Sequence, residues 1–88
     1  MRVRAAVRLK PKSHDFRFLE EVGKRLLRRR ESLNLTQAVV CRKARISPQQ
    51  LSRYELGMSD APISTLKRIC KALDISVTTL MMAAGNDS

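Results

Sequence analysis

Hydrophobic residues recur every three or four positions through most of the chain, the spacing that puts side chains on one face of a helix. In the first such segment Asp15 is a suitable N-cap, and the predicted helix runs to about Ser32. Glu20 and Glu21 lie in its first turns, as the helix dipole favours. Its predicted inner residues are Leu19, Val22, Leu26 and Leu33, with Phe16 and Phe18 packing at its start.

Two shorter helices follow, joined by a tight turn. Thr36 is a suitable N-cap for a helix over residues 37–44. The next helix has the strongest start signal in the chain, Ser-Pro-Gln-Gln at 47–50, because Ser followed three residues later by Gln forms a capping box. Pro tolerates the first helical position, where its missing N–H costs nothing. We predict a helix over 48–56, ended by Gly57 in a left-handed conformation.

The helix over 48–56 has a polar outer face. Its predicted inner residues are Leu51 and Tyr54, and its outward residues are Gln49, Gln50 and Arg53, with Ser52 at the edge. Glutamine can form paired hydrogen bonds to adenine, and arginine to guanine, so these residue types suit the reading of DNA bases. A solvated surface helix has the same polarity, and the helix alone leaves both interpretations open.

Two further helices complete the predicted fold. Pro62 opens the fourth helix, and Ser76 caps a last one from Val77 to about Ala83, stopped by Gly85. The predicted inner residues are Ile63, Leu66, Ile69, Cys70 and Leu73 in the fourth helix and Val77, Leu80 and Met81 in the last. We therefore expect an all-α domain over residues 15–85 with a loose tail over 86–88.

The N-terminal segment, residues 1–14, has a different pattern. Apolar and basic residues alternate over its first ten positions, as in a half-buried strand. Such a strand could pair with the same strand of a second chain, or the segment could be a basic arm that orders on DNA. A disordered tail is the third alternative. If the arm binds DNA, Arg2 and Arg4 would contact phosphates.

Charge restricts the partners. Eighteen Lys and Arg against eight Asp and Glu give a net charge of +10 on 88 residues, which favours a polyanion such as DNA. No apolar run is long enough to span a membrane, and we expect neither a signal peptide nor membrane binding. One His and two Cys without ligand spacing predict neither a metal site nor a cofactor. Catalytic residue sets are also missing, so an enzyme is not expected.

Residues 36–57 with their flanks resemble the helix-turn-helix of the phage repressor, Cro and XRE family, and the resemblance covers roughly residues 22–80. It is carried by Gln37, Ile46-Ser47, Leu51-Ser52 and the Tyr-Glu-x-Gly sequence at 54–57. Arg45 departs from it, because the family usually has Gly at this turn position. The resemblance implies a lambda-repressor-like fold of five helices, with 48–56 as the recognition helix.

The implied fold assigns roles to single residues. With this fold, the outward residues Gln49, Gln50 and Arg53 would contact bases, supported by phosphate contacts of Gln37 and Ser52, and Arg28 in the later turns of the first helix could also contact phosphates. The resemblance also implies an ion pair between Arg30 and Glu55 that fixes the first helix to the recognition helix.

The implied function is a transcriptional regulator, in particular a repressor, that binds a palindromic operator on double-stranded DNA as a homodimer. A bacterial or phage-encoded protein of this kind would act in the cytoplasm, on the nucleoid. The family also contains antitoxins, which bind a toxin protein as well as their own operator, and this alternative stays open.

Overall fold

Residues 14–86 fold into five helices that surround one core. The computed structural model describes residues 14–86, and their side chains from 17 to 82. The helices are α1 His14–Ser32, α2 Gln37–Ala44, α3 Pro48–Glu55, α4 Ile63–Ala72 and α5 Val77–Asn86. No strand occurs within residues 14–86, so the all-α prediction is confirmed there. The predicted strand or arm over 1–12, with Arg2 and Arg4, lies outside the described residues.

The core is aliphatic. α1 packs against α3 and α5, while α2 packs against α3 and α4. The buried residues of the core are Val22, Leu26, Val40, Cys41, Ala44, Leu51, Tyr54, Leu66, Ile69, Cys70, Leu73 and Leu80. Each large aliphatic side chain in this set contributes about 1.5–3 kcal/mol on burial. Within the described part of the chain, no helix is both long and apolar enough to span a membrane.

Four of the helices are followed by a residue with positive φ. These residues are Asn34 (57°), Arg45 (60°), Gly57 (72°) and Asp74 (54°), which follow α1 to α4 in turn. A left-handed residue lets the next backbone N–H groups bond to the last carbonyls of the helix. Gly, Asn and Asp adopt this conformation readily, whereas an arginine adopts it at a cost of about 1 kcal/mol. Arg45 is therefore the strained member of the set.

Two arginines cap helix ends elsewhere in the fold. Arg29 of α1 donates to the carbonyl oxygens of Leu73 and Asp74, each at 2.8 Å, just beyond the C-terminus of α4. Arg68 of α4 donates from Nε to the carbonyl oxygen of Ala44, also at 2.8 Å, at the C-terminus of α2. Because terminal carbonyls have no partner within their own helix, both arginines satisfy groups that would otherwise be unpaired.

Predicted helix boundaries differ from the observed ones at four places. α3 ends at Glu55 and not at residue 56, and Pro62 is the N-cap of α4, which begins at Ile63. α1 begins at His14, so Asp15 lies inside its first turn and is not the N-cap. α5 continues through Gly85 to Asn86, although Gly85 was expected to stop it and Asn86 to belong to a loose tail. A glycine costs a helix only about 1 kcal/mol relative to alanine, so it does not by itself end one.

Two predicted inner side chains are also exposed. Ile63 shares the helical stripe of Cys70 but is 64% exposed, because it is the first residue of α4 and none of the other helices within residues 14–86 covers that end. Phe18 is 40% exposed at the rim of a shallow cleft that Leu19 and Met81 also line. Periodicity identifies the inner face of a helix but not how far along it the neighbouring helices reach.

The buried thiol of Cys70 makes stability depend on pH. Burial raises its pKa to about 11, from 9.0 for an exposed thiol. Its contribution is therefore fully present below pH 9 and is lost as the pH rises to about 11, at roughly 1.4 kcal/mol per pH unit. Urea unfolding between pH 8 and 11 should show a steeper loss for the parent than for Cys70→Ala, whose free energy of unfolding starts lower. Parallel pH profiles of the two proteins would contradict this assignment.

Candidate nucleic-acid interface

Local hydrogen bonds define both ends of α3. Ser47 Oγ accepts a hydrogen bond from the Gln50 backbone N–H at 3.1 Å, and Gln50 Oε1 accepts one from the Ser47 N–H at 3.0 Å. This reciprocal capping box, with Pro48 at the first helical position, was predicted and is confirmed. At the other end Gly57 is left-handed, and the Met58 N–H donates to the Arg53 carbonyl at 2.9 Å.

The inner side of α3 lies directly against the backbone of α1. A Cβ atom at Gly23 would lie 2.5 Å from the carbonyl oxygens of both Tyr54 and Glu55, a distance no side chain tolerates. Sequence reasoning missed Gly23. A single glycine within a helical pattern is the signal that could have found it, because such a glycine often marks a close approach of two backbones.

A buried ion pair joins the same two helices. Arg30 Nε lies 2.7 Å from Glu55 Oε2, and Arg30 Nη2 lies 3.2 Å from Glu55 Oε1. The side chains are 13% and 5% exposed, and Arg30 Nη1 also donates to the Leu35 carbonyl at 2.9 Å. The hydrogen bond to Glu55 raises the pKa of Arg30 above its ordinary value, although burial opposes the rise. This is the pairing expected from the sequence.

Gln37 extends this network to α2. Its Nε2 donates to Glu55 Oε1 at 2.8 Å, and its Oε1 accepts from the Ser52 hydroxyl at 3.3 Å. Both residues were predicted to contact phosphates. Ser52 has a single hydroxyl proton and donates it to Gln37, whereas Gln37 keeps a second N–H. Of the two side chains, only Gln37 can donate to a phosphate without breaking a contact seen here.

The outer face of α3 carries the residues predicted to read bases. Gln49, Gln50 and Arg53 are all exposed. Because Gln49 and Arg53 are four residues apart, they are neighbours on the helix surface. Gln50 differs from them, since its Oε1 accepts from the Ser47 N–H in the capping box, which ties this side chain to the start of α3.

Arg28 lies away from the side of α1 that contacts α3. At 3.6 residues per turn it projects about 160° away from Arg30, on the outer side of α1. There it is exposed, beside Arg29, Ser32 and Ile75. Its phosphate contact remains a prediction.

Replacing Arg30 by Met should leave the Glu55 carboxylate buried without its cation. Removing one partner of a buried ion pair costs about 3 kcal/mol, so the melting temperature should fall. Affinity for duplex DNA should fall with it, because α3 loses its tie to α1. Thermal unfolding and a DNA titration test this. Arg17→Met is the matched control, because it removes an exposed arginine of α1, and it should change stability by less than about 0.5 kcal/mol. An Arg30→Met protein with the parent's melting temperature and DNA affinity would contradict the role given to the pair.

Comparison with known proteins supports this geometry. A helix-turn-helix family model matches residues 26–80, more than half of the chain. The crystal structure of the clp gene regulator ClgR from Corynebacterium glutamicum is similar, with a TM-score of 0.74 and 28% identity over 78% of this chain and 88% of that one. The restriction-modification controller protein C.AhdI from Aeromonas hydrophila has a TM-score of 0.68 and 22% identity over 70% of this chain and 94% of that one, which shows a shared fold. No curated protein sequence matches significantly. The chain thus belongs to the helix-turn-helix family, of the Cro and XRE type that its sequence resembles.

Proposed function

We propose that the protein is a sequence-specific DNA-binding transcriptional regulator and that α3 lies in the major groove of its operator. The observation that carries the proposal is the contrast between the two sides of α3. Its inner side is held by a close backbone contact, a buried ion pair and a capping box, while its outer side exposes Gln49 and Arg53. The similar protein ClgR, described as a clp gene regulator, supports regulation as the outcome of binding.

Gln49 and Arg53 are the proposed base readers. A glutamine can bond to adenine through its carbonyl oxygen and amide together, and an arginine to O6 and N7 of guanine. Gln50 was placed in the same group, but its oxygen accepts from the Ser47 N–H, which holds its amide at the start of the helix. We therefore assign Gln50 first to the capping of α3.

Phosphate contacts would fix the position of the helix on the duplex. The remaining N–H of Gln37 is one proposed donor, at the N-terminus of α2 where the helix dipole favours an anion. Arg2 and Arg4 of the basic N-terminal segment and Arg28 on the outer side of α1 complete the proposed set. Contacts of this kind carry no sequence information but supply much of the affinity and its dependence on salt.

Homodimer formation is part of the proposal. One α3 presents only a few base-reading side chains, whereas two copies related by a two-fold axis would read two half-sites about 34 Å apart. The operator would then be palindromic. We extend the proposal to repression, because a small dimer on DNA regulates most simply by blocking access to the site. The antitoxin alternative lacks support, since neither ClgR nor C.AhdI is described as a protein with a toxin partner.

Selection of bound duplexes from a random DNA pool tests this function directly. We expect an enriched palindrome whose half-sites are separated by about one helical turn. Recovery of an unchanged random pool would refute sequence-specific binding, and recovery of a single unrepeated half-site would refute the dimer.

Substitutions on α3 should separate base reading from helix capping. Gln49→Ala and Arg53→Ala should each cost about 1–3 kcal/mol of binding, confined to particular base pairs of the selected site. Gln50→Ala should instead lower the free energy of unfolding by about 1 kcal/mol, because it breaks the capping box. Binding to single-base variants of the site and thermal unfolding measure the two effects.

Arg17→Ala is the matched control for Arg53→Ala, because it removes an exposed arginine from α1. It should leave the base preferences of the protein unchanged. If Arg53→Ala weakened binding to every duplex equally, Arg53 would be a phosphate contact and its assignment as a base reader would be wrong.

A further inference from the structure

A groove lined by basic side chains lies at the C-terminal end of α2. It is open to solvent, has a volume of about 400 Å³, and includes no carboxylate in its lining. The lining residues are Lys43, Arg45, Arg68, Lys71 and Ala72. None of these residues belongs to the set proposed above to contact DNA. Four basic side chains around one concavity make a surface suited to an anion.

Charges along the chain are segregated in a way that favours this surface. Residues 36–54 and 61–73 contain seven Lys and Arg and no Asp or Glu. Four of the acidic residues lie instead on α1, at Asp15, Glu20, Glu21 and Glu31. The groove is built from the two acid-free segments, and the nearest acidic residue to its lining along the chain is Asp74, three residues after Lys71.

Two of the four basic residues, Arg68 and Arg45, have a defined position at the end of α2. Arg68 donates from Nε to the Ala44 carbonyl at 2.8 Å, which fixes its guanidinium at the rim while other N–H groups stay available. Arg45 occupies the left-handed position after α2, with φ 60° and ψ 48°. Asn, Gly and Asp fill the corresponding positions after α1, α3 and α4. An arginine is thus kept at a strained position where a glycine would be relaxed, which is typical of a residue with a function beyond folding.

The groove adjoins the start of α3. Arg45 is three residues before Pro48, so their Cα atoms are at most about 11 Å apart. The major groove of DNA is about 12 Å wide and is bounded by phosphates on both sides. With α3 in that groove, the turn that leads into it reaches the edge where the backbone of the DNA runs.

We infer that this basic groove binds the sugar–phosphate backbone beside the major groove that α3 occupies. The inference rests on the proposed function, because it takes the position of the DNA from α3. Duplex phosphates are the ligand, since they are the polyanion that the placement of α3 brings to this rim. The groove adds Lys43, Arg45, Arg68 and Lys71 to the proposed phosphate contacts.

The first experiment measures how salt weakens binding to a random-sequence duplex. Each phosphate contact contributes about 0.9 to the slope of log affinity against log salt. The double variant Lys43→Gln/Lys71→Gln should lower this slope by about 2, so that a fourfold rise in salt costs it about tenfold less affinity than the parent. Lys24→Gln removes an exposed lysine from the outer side of α1 and should leave the slope unchanged. A double variant with the slope of the parent would overturn the inference.

The second experiment separates binding from stability. Arg45→Gly removes the left-handed strain, so the melting temperature should rise by about 2–5 °C. The slope of log DNA affinity against log salt should nevertheless fall by about 0.9 for this variant, because a phosphate contact is lost. A protein that becomes less stable and binds less DNA would show only that the turn is disturbed. That result would overturn the role given to Arg45.

The outcomes also distinguish the groove from the proposed function. If selection returns no preferred sequence while the groove variants still flatten the salt dependence, base reading by α3 fails and the basic groove stands. If a palindrome is selected and the groove variants bind like the parent, the regulator stands and the groove does not contact the duplex. Binding of an acidic polypeptide with no change in the DNA slope would assign the groove to a protein partner and also overturn the inference.

Discussion

The structure depends on one carboxylate that is buried inside the protein and bonded to two other helices. Glu55 is buried at the last residue of α3, where the negative end of the helix dipole disfavours an anion. Three donors compensate: two N–H groups of Arg30 and one of Gln37. Arg30 belongs to α1 and Gln37 to α2. The hydrogen bonds of the Glu55 carboxylate therefore fix three helices relative to each other. Such a pair contributes mainly orientation, since desolvation offsets much of its attraction.

This orientation is what base reading requires of a helix. Gly23 lets α1 approach the end of α3 at backbone distance, and the capping box fixes where α3 begins. The side chains of Leu51 and Tyr54 then bury the face between these points. A helix held at both ends and along its inner face presents its outer residues in one arrangement, which lowers the entropy lost when they bind an ordered partner.

The many cations of this protein have two different uses. Arg29, Arg30 and Arg68 bond to carbonyl or carboxylate oxygens of other helices, so part of the positive charge stabilises the fold. Arg53 and Lys43 are exposed and suit an external anion. Two adjacent arginines of α1 show how fine the distinction is: Arg29 reaches the end of α4, whereas Arg28 faces solvent. A net charge of +10 indicates the class of partner and does not say which residues meet it.

The sequence by itself determined the local features. Helix starts at Gln37, Pro48 and Val77 were correct, because N-caps and prolines act within one turn and need no distant partner. The inner faces of the helices followed from periodicity for the same reason. Arg30 with Glu55 was reached only through resemblance to a family, since no local rule joins residues 25 positions apart.

Tertiary structure alone decided the rest. It showed that the Ser52 hydroxyl donates to Gln37, that Ile63 is uncovered, and that Gly85 lies within α5. It also gathered the basic groove from the ends of two helices. The physical reason is common to all of these: burial, hydrogen-bond partners and charge clusters depend on which surfaces meet, and periodicity along one chain segment does not contain that information.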